Sequence, residues 1–176
     1  MTPLVSIVVA HDLNGVIGYR GKLPWHEPAD LKRFQQITVG DWVVYGFNTF
    51  RSLNYKPLPR RRNIVLTSAA NLHNEGYDVA RSLDDAIKIV LDNNENRIHL
   101  CGGPRLYTEA LDRDMVDVAF ITIIKTAKEY AGTDVTHFKE YQDFEDAEKW
   151  ELRTRIHFSE TLEFRLYHRR GKLFNL

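Results

Sequence analysis

The sequence predicts a single α/β domain over residues 1–176, with a mixed, mostly parallel twisted sheet, helices on both faces and an antiparallel hairpin at the C-terminal edge. Between residues 4 and 112, short apolar runs alternate with helical patterns, which is typical of parallel strands covered by helices. Beyond residue 115, apolar runs follow one another with little helix between them, which favours antiparallel pairing.

The parallel part is predicted from four nearly continuous apolar runs, each expected to be a strand buried on both faces. These runs are residues 4–10, 41–46, 62–68 and 97–103. Helical patterns lie at residues 28–37, in a short stretch after Gly46, at residues 82–92 and at residues 104–112. Ser82, with Asp85 three residues later, predicts an N-terminal cap for the third helix.

The C-terminal part is predicted from the runs at 116–124, 150–158 and 162–170. The last two alternate between apolar and polar residues and are joined by residues 159–161, so they are expected to form the edge hairpin. No linker, repeat or low-complexity segment divides the chain, which is why one domain is predicted.

Composition argues against several classes of function. With 43% hydrophobic and 27% charged residues, the chain is expected to be a soluble globular protein. Lysine plus arginine equals aspartate plus glutamate, 24 each, so no overall field attracts nucleic acid or an anionic membrane, and a small substrate is favoured. The scattered histidines match no metal-binding pattern. Cys101 is the only cysteine and no signal peptide is recognisable, so we expect a cytoplasmic location.

Asp30 is the first candidate functional residue. Pro28 predicts the start of a helix, and an acid in the first helical turn often serves only to interact with the helix dipole. However, Asp30 shares the i, i+4, i+7 stripe with Phe34 and Ile37. The residues expected on the polar face are Lys32, Arg33 and Gln36. If the stripe is buried, desolvation raises the pKa of Asp30 by more than the helix dipole lowers it, because the dipole contributes only roughly 0.3–1 kcal/mol. Asp30 is then a candidate proton donor. The helix alone leaves both alternatives open.

Two further segments have a structural and a functional interpretation. The segment "CGGPRLY" (101–107) is either a tight strand-to-helix turn or a place where backbone N–H groups approach an anionic ligand. The segment "PLPRRRN" (57–63) is either a solvated basic loop or the source of an arginine fork for a substrate carboxylate.

Five segments together resemble the dihydrofolate reductase family, in order and over about residues 4–170: "NGVIGYRGKLPWHEPADLKRF", "YGFNTFRSL", "KPLPRRRNIVLTS", "CGGPRLY" and "GTDVTHF". The resemblance implies a dihydrofolate reductase-like fold and reduction of 7,8-dihydrofolate to 5,6,7,8-tetrahydrofolate by hydride transfer from NADPH. Asp30 would bind the amidine edge of the pterin and promote protonation at N5, Thr122 would hydrogen-bond to Asp30, and Trp25 would support the site with an ordered water.

The resemblance also assigns residues to roles. The catalytic residues that it implies are Asp30, Trp25 and Thr122. The substrate-binding residues that it implies are Val8, Asp30, Leu31, Phe34, Ser52, Leu53, Arg61 and Thr122. The cofactor-binding residues that it implies are Ala10, Ile17, Gly18, Leu23, Gly46, Asn48, Thr49, Leu66, Thr67, Ser68, Arg81, Cys101, Gly102, Gly103, Pro104, Arg105, Leu106 and Tyr107. Among the three loop arginines, Arg61 matches the partner of the substrate's α-carboxylate, and Gly18 to Leu23 match a mobile loop. A monomer without metal is expected.

The sequence departs from the family at two informative positions. The family usually has a basic residue where Phe47 stands, and often another at Asn48, to contact the 2′-phosphate of the cofactor. NADPH is still expected, with a weaker preference over NADH. The family commonly has an apolar residue where Glu27 stands, and the sequence does not reveal which way Glu27 points.

Two alternatives stay open. A reductase of similar fold that acts on a pyrimidine-type riboflavin precursor would not need Asp30, Phe34 and Arg61 together. A folate-binding module without turnover would bind methotrexate without catalysis.

Overall fold

Ten strands and four α-helices form the chain in the computed structural model, which describes residues 2–69, 72 and 75–172. The strands are β1 (Leu4–Asp12), β2 (Val16–Tyr19), β3 (Trp42–Gly46), β4 (Arg62–Leu66), β5 (Asp78–Ala80), β6 (Arg97–Leu100), β7 (Val118–Ile124), β8 (Val135–His137), β9 (Trp150–His157) and β10 (Leu162–Arg169). The helices are α1 (Pro28–Thr38), α2 (Phe47–Ser52), α3 (Leu83–Asp92) and α4 (Pro104–Asp112), with a short 3-10 turn at Asp143–Glu145.

Eight strands form one sheet in the order β5-β4-β3-β6-β1-β7-β10-β9. All neighbours from β5 to β7 are parallel, whereas β10 is antiparallel to both β7 and β9. Strand β9 therefore ends the sheet. This arrangement confirms the predicted mixed sheet with an antiparallel hairpin at one edge.

Three short strands were not predicted from the sequence. Strand β5 adds three residues to the far edge of the sheet, and β2 pairs with β8 in a separate antiparallel ribbon. Each has only three or four residues, too few for an alternating pattern to stand out.

The helices cover both faces of the sheet, as predicted. Residues Val43 and Val44 of β3 point to opposite faces because side chains alternate along a strand. Val44 belongs to the core cluster that contains α3 and α4 side chains such as Val90 and Leu106, whereas Val43 packs in the cluster of Phe50 from α2. Helix α1 packs on that second face, near the C-terminal hairpin.

Helix α3 begins as predicted. The Ser82 side chain accepts a hydrogen bond from the backbone N–H of Asp85 at 3.1 Å. This contact satisfies one of the N–H groups that a helix start leaves without an intrahelical partner.

Among the described residues, no helix is both long and apolar enough to span a membrane.

Candidate active site

The carboxyl ends of the parallel strands meet at one edge of the sheet, where ligands of such sheets bind. The turn after β3 and the turn after β6 are joined there, because the N–H of Gly46 donates to the carbonyl of Gly102 at 2.8 Å. The Gly102–Gly103 peptide bond is cis, and Gly102 has a φ of 113°.

The positive φ and the close packing at Gly102 favour glycine at that position. A Cβ atom on Gly102 would lie 3.3 Å from the Thr49 Oγ1 atom and 3.5 Å from the Tyr107 hydroxyl oxygen. A Cβ atom on Gly103 would lie 3.6 Å from the same Thr49 oxygen. The turn therefore presents bare backbone beside a threonine hydroxyl, which is a suitable surface for a phosphate group.

Tyr107 connects this turn to the centre of the sheet. Its hydroxyl donates to the carbonyl of Val8 in β1 at 3.0 Å. Burial raises the pKa of Tyr107 well above its usual value, and the nearby Asp30 charge adds to the shift. The glycine turn and the predicted proton donor thus lie within electrostatic reach of each other.

Asp30 lies in the first turn of α1, half-buried, and faces Thr122 of β7. Burial raises its pKa, and the interactions with the Thr122 side chain and with Arg33 oppose that effect without cancelling it. Glu27 raises the pKa slightly further. Desolvation therefore outweighs the stabilising contacts, which is the alternative that favours a proton donor.

The residues three positions before and after Asp30 were not recognised as part of its surroundings. Arg33 was expected on the polar face, and this was wrong, because its guanidinium carbon lies 4.5 Å from the centroid of the Phe164 ring in β10. Glu27 precedes the helix and is half-buried. The i±3 spacing from Asp30 was the sequence signal that could have identified both residues.

Trp25 packs together with Ala29 of α1 against Ile124, Leu162 and Phe164. Its indole Nε1 atom is buried and has no hydrogen-bond partner among the described residues.

Arg61 is the loop arginine that faces α1. Its Nε atom donates to the Thr38 hydroxyl at 3.1 Å, its Nη1 atom donates to the Pro59 carbonyl at 2.8 Å, and its guanidinium lies 5.7 Å from the Phe34 ring. Arg62 lies elsewhere, 3.4 Å from Glu95.

The loop after β4 is fixed by Arg81. Its Nη1 atom donates to the carbonyls of Thr67 at 2.8 Å and of Ala69 at 2.6 Å, on either side of exposed Ser68. Across the site, Phe47 packs on Tyr55 with ring centroids 6.0 Å apart.

A sequence model of dihydrofolate reductase matches residues 4–169 of this chain. The chain belongs to the dihydrofolate reductase family. It is 40% identical over 152 residues to a dihydrofolate reductase of Staphylococcus aureus, with 86% of each chain covered. It is 41% identical over 138 residues to the type 3 dihydrofolate reductase of Salmonella typhimurium, which covers 78% of this chain and 80% of the relative.

A solved structure extends the comparison to the fold. Dihydrofolate reductase from Enterococcus faecalis, complexed with NADP(H) and RAB-propyl, superposes with a TM-score of 0.80 at 32% sequence identity. The superposition covers 95% of this chain and 96% of that one.

Contacts connect several of the residues that the family resemblance assigns, and leave others at the surface. Asp30 faces Thr122, Gly46 and Thr49 lie by the glycine turn, and Arg61 lies by Phe34. Exposed residues of the assigned set are Leu23, Leu31, Asn48, Ser52, Ser68, Arg81 and Arg105. The side chain of Leu106 is buried in the main core, so its backbone alone could contact a ligand.

The other assigned residues that are partly buried are Ala10, Ile17, Gly18, Leu53, Leu66, Thr67, Cys101 and Pro104. Val8 is buried. Burial raises the pKa of the Cys101 thiol, which does not favour a nucleophilic role. Within the described ranges, no three potential ligand side chains come together to hold a metal ion.

Proposed function

We propose that this protein reduces 7,8-dihydrofolate to 5,6,7,8-tetrahydrofolate with hydride from NADPH. The observation that carries the proposal is the position of Asp30, a half-buried acid with a raised pKa that faces Thr122, in a chain of the dihydrofolate reductase family. When ionised, such a carboxyl group can accept hydrogen bonds from two N–H donors of an amidine edge, and a raised pKa suits it to promote proton delivery.

The pterin end of the substrate would meet Asp30. The two carboxyl oxygens would accept hydrogen bonds from the pterin amidine edge, and Thr122 would orient the carboxyl group. Phe34 on α1, together with Val8 and Leu53, would flank the rings. The buried indole N–H of Trp25 offers a donor for an ordered water beside N5.

The glutamate end of the substrate would meet Arg61. The guanidinium is positioned by Thr38, Pro59 and Phe34, and among the described residues no carboxylate pairs with it. An arginine fixed in this way is suited to bind an α-carboxylate through two parallel hydrogen bonds.

The residues around the glycine turn fit NADPH. The bare backbone at Gly102 and Gly103, beside the Thr49 hydroxyl, would hold the pyrophosphate, and Ser68 with Arg81 would lie by the 2′-phosphate. Bound there, NADPH would supply the hydride, while the protein contributes position and exclusion of water. The segment from Gly18 to Leu23 would close over the site.

We infer that NADPH is preferred over NADH by a smaller margin than in relatives with a basic residue at position 47. Phe47 packs on Tyr55 and supplies no charge for the 2′-phosphate. Equal Michaelis constants for NADPH and NADH would show that the protein does not recognise the 2′-phosphate of the cofactor.

We further infer a cytoplasmic monomer of one domain that binds neither nucleic acid nor membranes. The single eight-stranded sheet, which draws on strands from Leu4 to Arg169, supports one domain, and the balance of 24 basic and 24 acidic residues disfavours polyanionic partners.

Absorbance at 340 nm, with purified protein, dihydrofolate and either NADPH or NADH, tests the proposal. A fall with NADPH that methotrexate abolishes is the expected result. Folded protein that binds methotrexate without turnover would instead identify a folate-binding module, and activity on a pyrimidine substrate alone would identify the riboflavin-type reductase.

A further inference from the structure

A second concave site lies on the face of the sheet opposite Asp30. It is a cavity of about 420 Å³ whose walls come from β1, β7, β9, β10 and the turn at Asp143–Glu145. Ile121 and Ile123 of β7 line it, whereas Thr122 between them points to the other face. The cavity is therefore separate from the proposed active site, with one strand between them.

Glu163 of β10 is the buried charged group of this cavity. Its side chain is only 1% exposed. Its carboxylate accepts from Arg155 Nε at 3.0 Å and Arg165 Nε at 2.5 Å, and lies 3.5 Å from Lys125 Nζ and 2.9 Å from His157 Nδ1. Burial would raise the pKa of Glu163, but the hydrogen bonds from Arg165 and Arg155 outweigh it and bring the pKa to about 2.

The cavity has more positive than negative charge. Lys125, Arg155 and Arg165 carry three positive charges, and the acidic residues that line the cavity are Glu145 and Glu163. Three cations around one buried carboxylate repel one another, and a second anion on their outer side would relieve that repulsion.

Arg155 is the cation best placed to receive such an anion. It contacts Glu163 through Nε and Nη2, and in the described part of the chain its Nη1 atom has no hydrogen-bond partner. Half of its side chain is exposed, 48%. An arginine that is already held by one carboxylate keeps its outer edge oriented for another anion.

The wall also has apolar and aromatic side chains, with His11 and Gln142 as further polar residues. Besides Ile121 and Ile123, the side chains of Phe144 and Tyr141 line the cavity, and Tyr141 packs edge-on against His11 at 5.4 Å. The volume is within the range of about 300–1,000 Å³ that is usual for small-molecule sites.

We propose that this cavity binds a small organic anion that combines a carboxylate or phosphate group with an apolar or aromatic body. The anionic group would lie against Arg155 and Lys125, outside Glu163, and the body would lie on Ile123 and Tyr141, next to the buried side chains of Ile121 and Phe144. No bond is made or broken. The proposal does not depend on the reductase activity.

Calorimetric titration with phenyl phosphate tests this site, because that compound has both an anionic phosphate group and an aromatic ring. Phenol has only the ring and inorganic phosphate only the anion. Titrated separately at equal ionic strength, each is expected to bind at least about tenfold more weakly than phenyl phosphate. Carbon-13 labelled isoleucine methyl groups give a second readout, with the largest shifts expected at Ile121 and Ile123. Binding of inorganic phosphate as tightly as phenyl phosphate would overturn the proposal.

Three variants locate the binding. Arg155→Gln is expected to weaken phenyl phosphate binding about tenfold or more, the loss typical of a hydrogen bond to a charged group. Arg153→Gln is the matched control, since it makes the same charge change on the same strand, 51% exposed and paired with Glu151. Arg81→Gln reports binding at the proposed cofactor site. An equal loss in Arg153→Gln, or a loss in Arg81→Gln alone, would overturn the proposal, and thermal melts confirm that each variant is folded.

Discussion

Two acids on opposite faces of one sheet, Asp30 and Glu163, differ in what surrounds them. Burial acts on both in the same direction and raises each pKa. Asp30 faces the hydroxyl of Thr122 and one arginine that is held over Phe164, and its pKa stays raised. Glu163 is surrounded by cations, and its pKa falls to about 2.

The comparison shows that partners, more than burial, decide what a buried carboxylate can do. Paired closely with arginine and lysine, Glu163 stays ionised at any physiological pH and holds two strands together. Asp30 lacks such close pairing, and its proton remains exchangeable. On the Asp30 face the cation Arg61 contacts a hydroxyl, a carbonyl and a ring, and in the described structure no acid, which leaves it for a ligand.

The largest expected effect comes from Asp30→Asn. We expect hydride transfer at pH 7 to fall by about 10²–10⁴-fold, the usual contribution of a general acid, and to fall less at low pH, where solvent protons assist. The melting temperature at pH 7 should not fall, because a raised folded pKa means that ionised Asp30 costs stability above its unfolded pKa. Single-turnover stopped-flow kinetics measure the rate of hydride transfer, and calorimetry measures the melting temperature. The exposed substitution Asp92→Asn is the control. Unchanged hydride transfer from pH 5 to 8 would remove Asp30 from the mechanism.

Glu163→Gln should reduce the stability of the protein and not its rate of hydride transfer. We expect the free energy of unfolding at pH 7 to fall by up to about 3 kcal/mol, with hydride transfer unchanged. Because the folded pKa is depressed, the stabilisation is present above the unfolded pKa near 4.5 and is lost as the pH falls towards 2. The difference between variant and wild type should therefore shrink over that range in urea unfolding experiments. Exposed Glu160→Gln is the control, and equal stability at pH 7 would contradict the ion-pair interpretation.

Arg61→Lys should have an intermediate effect on the Asp30 face. We expect the Michaelis constant for dihydrofolate to rise about tenfold with little change in kcat, because one ammonium group cannot form two parallel hydrogen bonds to a carboxylate. Steady-state kinetics measure this, with Arg60→Lys as the control. If Arg60→Lys raised the constant instead, the assignment within the loop would be wrong by one residue.

The smallest expected effect, from Glu27→Gln, tests how finely Asp30 is tuned. The charged groups around Asp30 are Glu27 and Arg33, with the neutral hydroxyls of Thr122 and Tyr107 nearby. Removing Glu27 should lower the pKa of Asp30 and move the alkaline limb of the pH–rate profile to lower pH. Arg33→Gln should move the same limb to higher pH, since Arg33 lowers the pKa. Shifts of the same sign in both variants would exclude this electrostatic account.

The parallel half of the fold could be predicted because its strands are buried on both faces, which gives continuous apolar runs such as residues 4–10. The cap at Ser82 could also be predicted, because it depends on residues three apart. Strands β2 and β8 could not, because each is stabilised by a partner more than 100 residues away.

The same distinction applies to the sites. Asp30 could be singled out because its unusual position is visible within one helix. The contact of Arg33 with Phe164 joins residues 131 positions apart, and a long side chain can bend back from the face that its helix position suggests. The cation cluster was missed because strand register brings it together: Arg165 lies opposite Arg155, and Glu163 opposite His157.

Within the described residues no strand pairs with the outer edge of β9, which has a consequence for the protein at high concentration. The outer row of backbone N–H and C=O groups on β9 could pair with another chain, and Leu152, Ile156 and Phe158 are each more than 40% exposed there. The charged residues Arg153 and Arg155 lie between Leu152 and Ile156 on this strand and oppose edge-to-edge stacking through charge repulsion. Neutralising both would make this strand the place where aggregation begins, so the charges on β9 matter for solubility as well as for the fold.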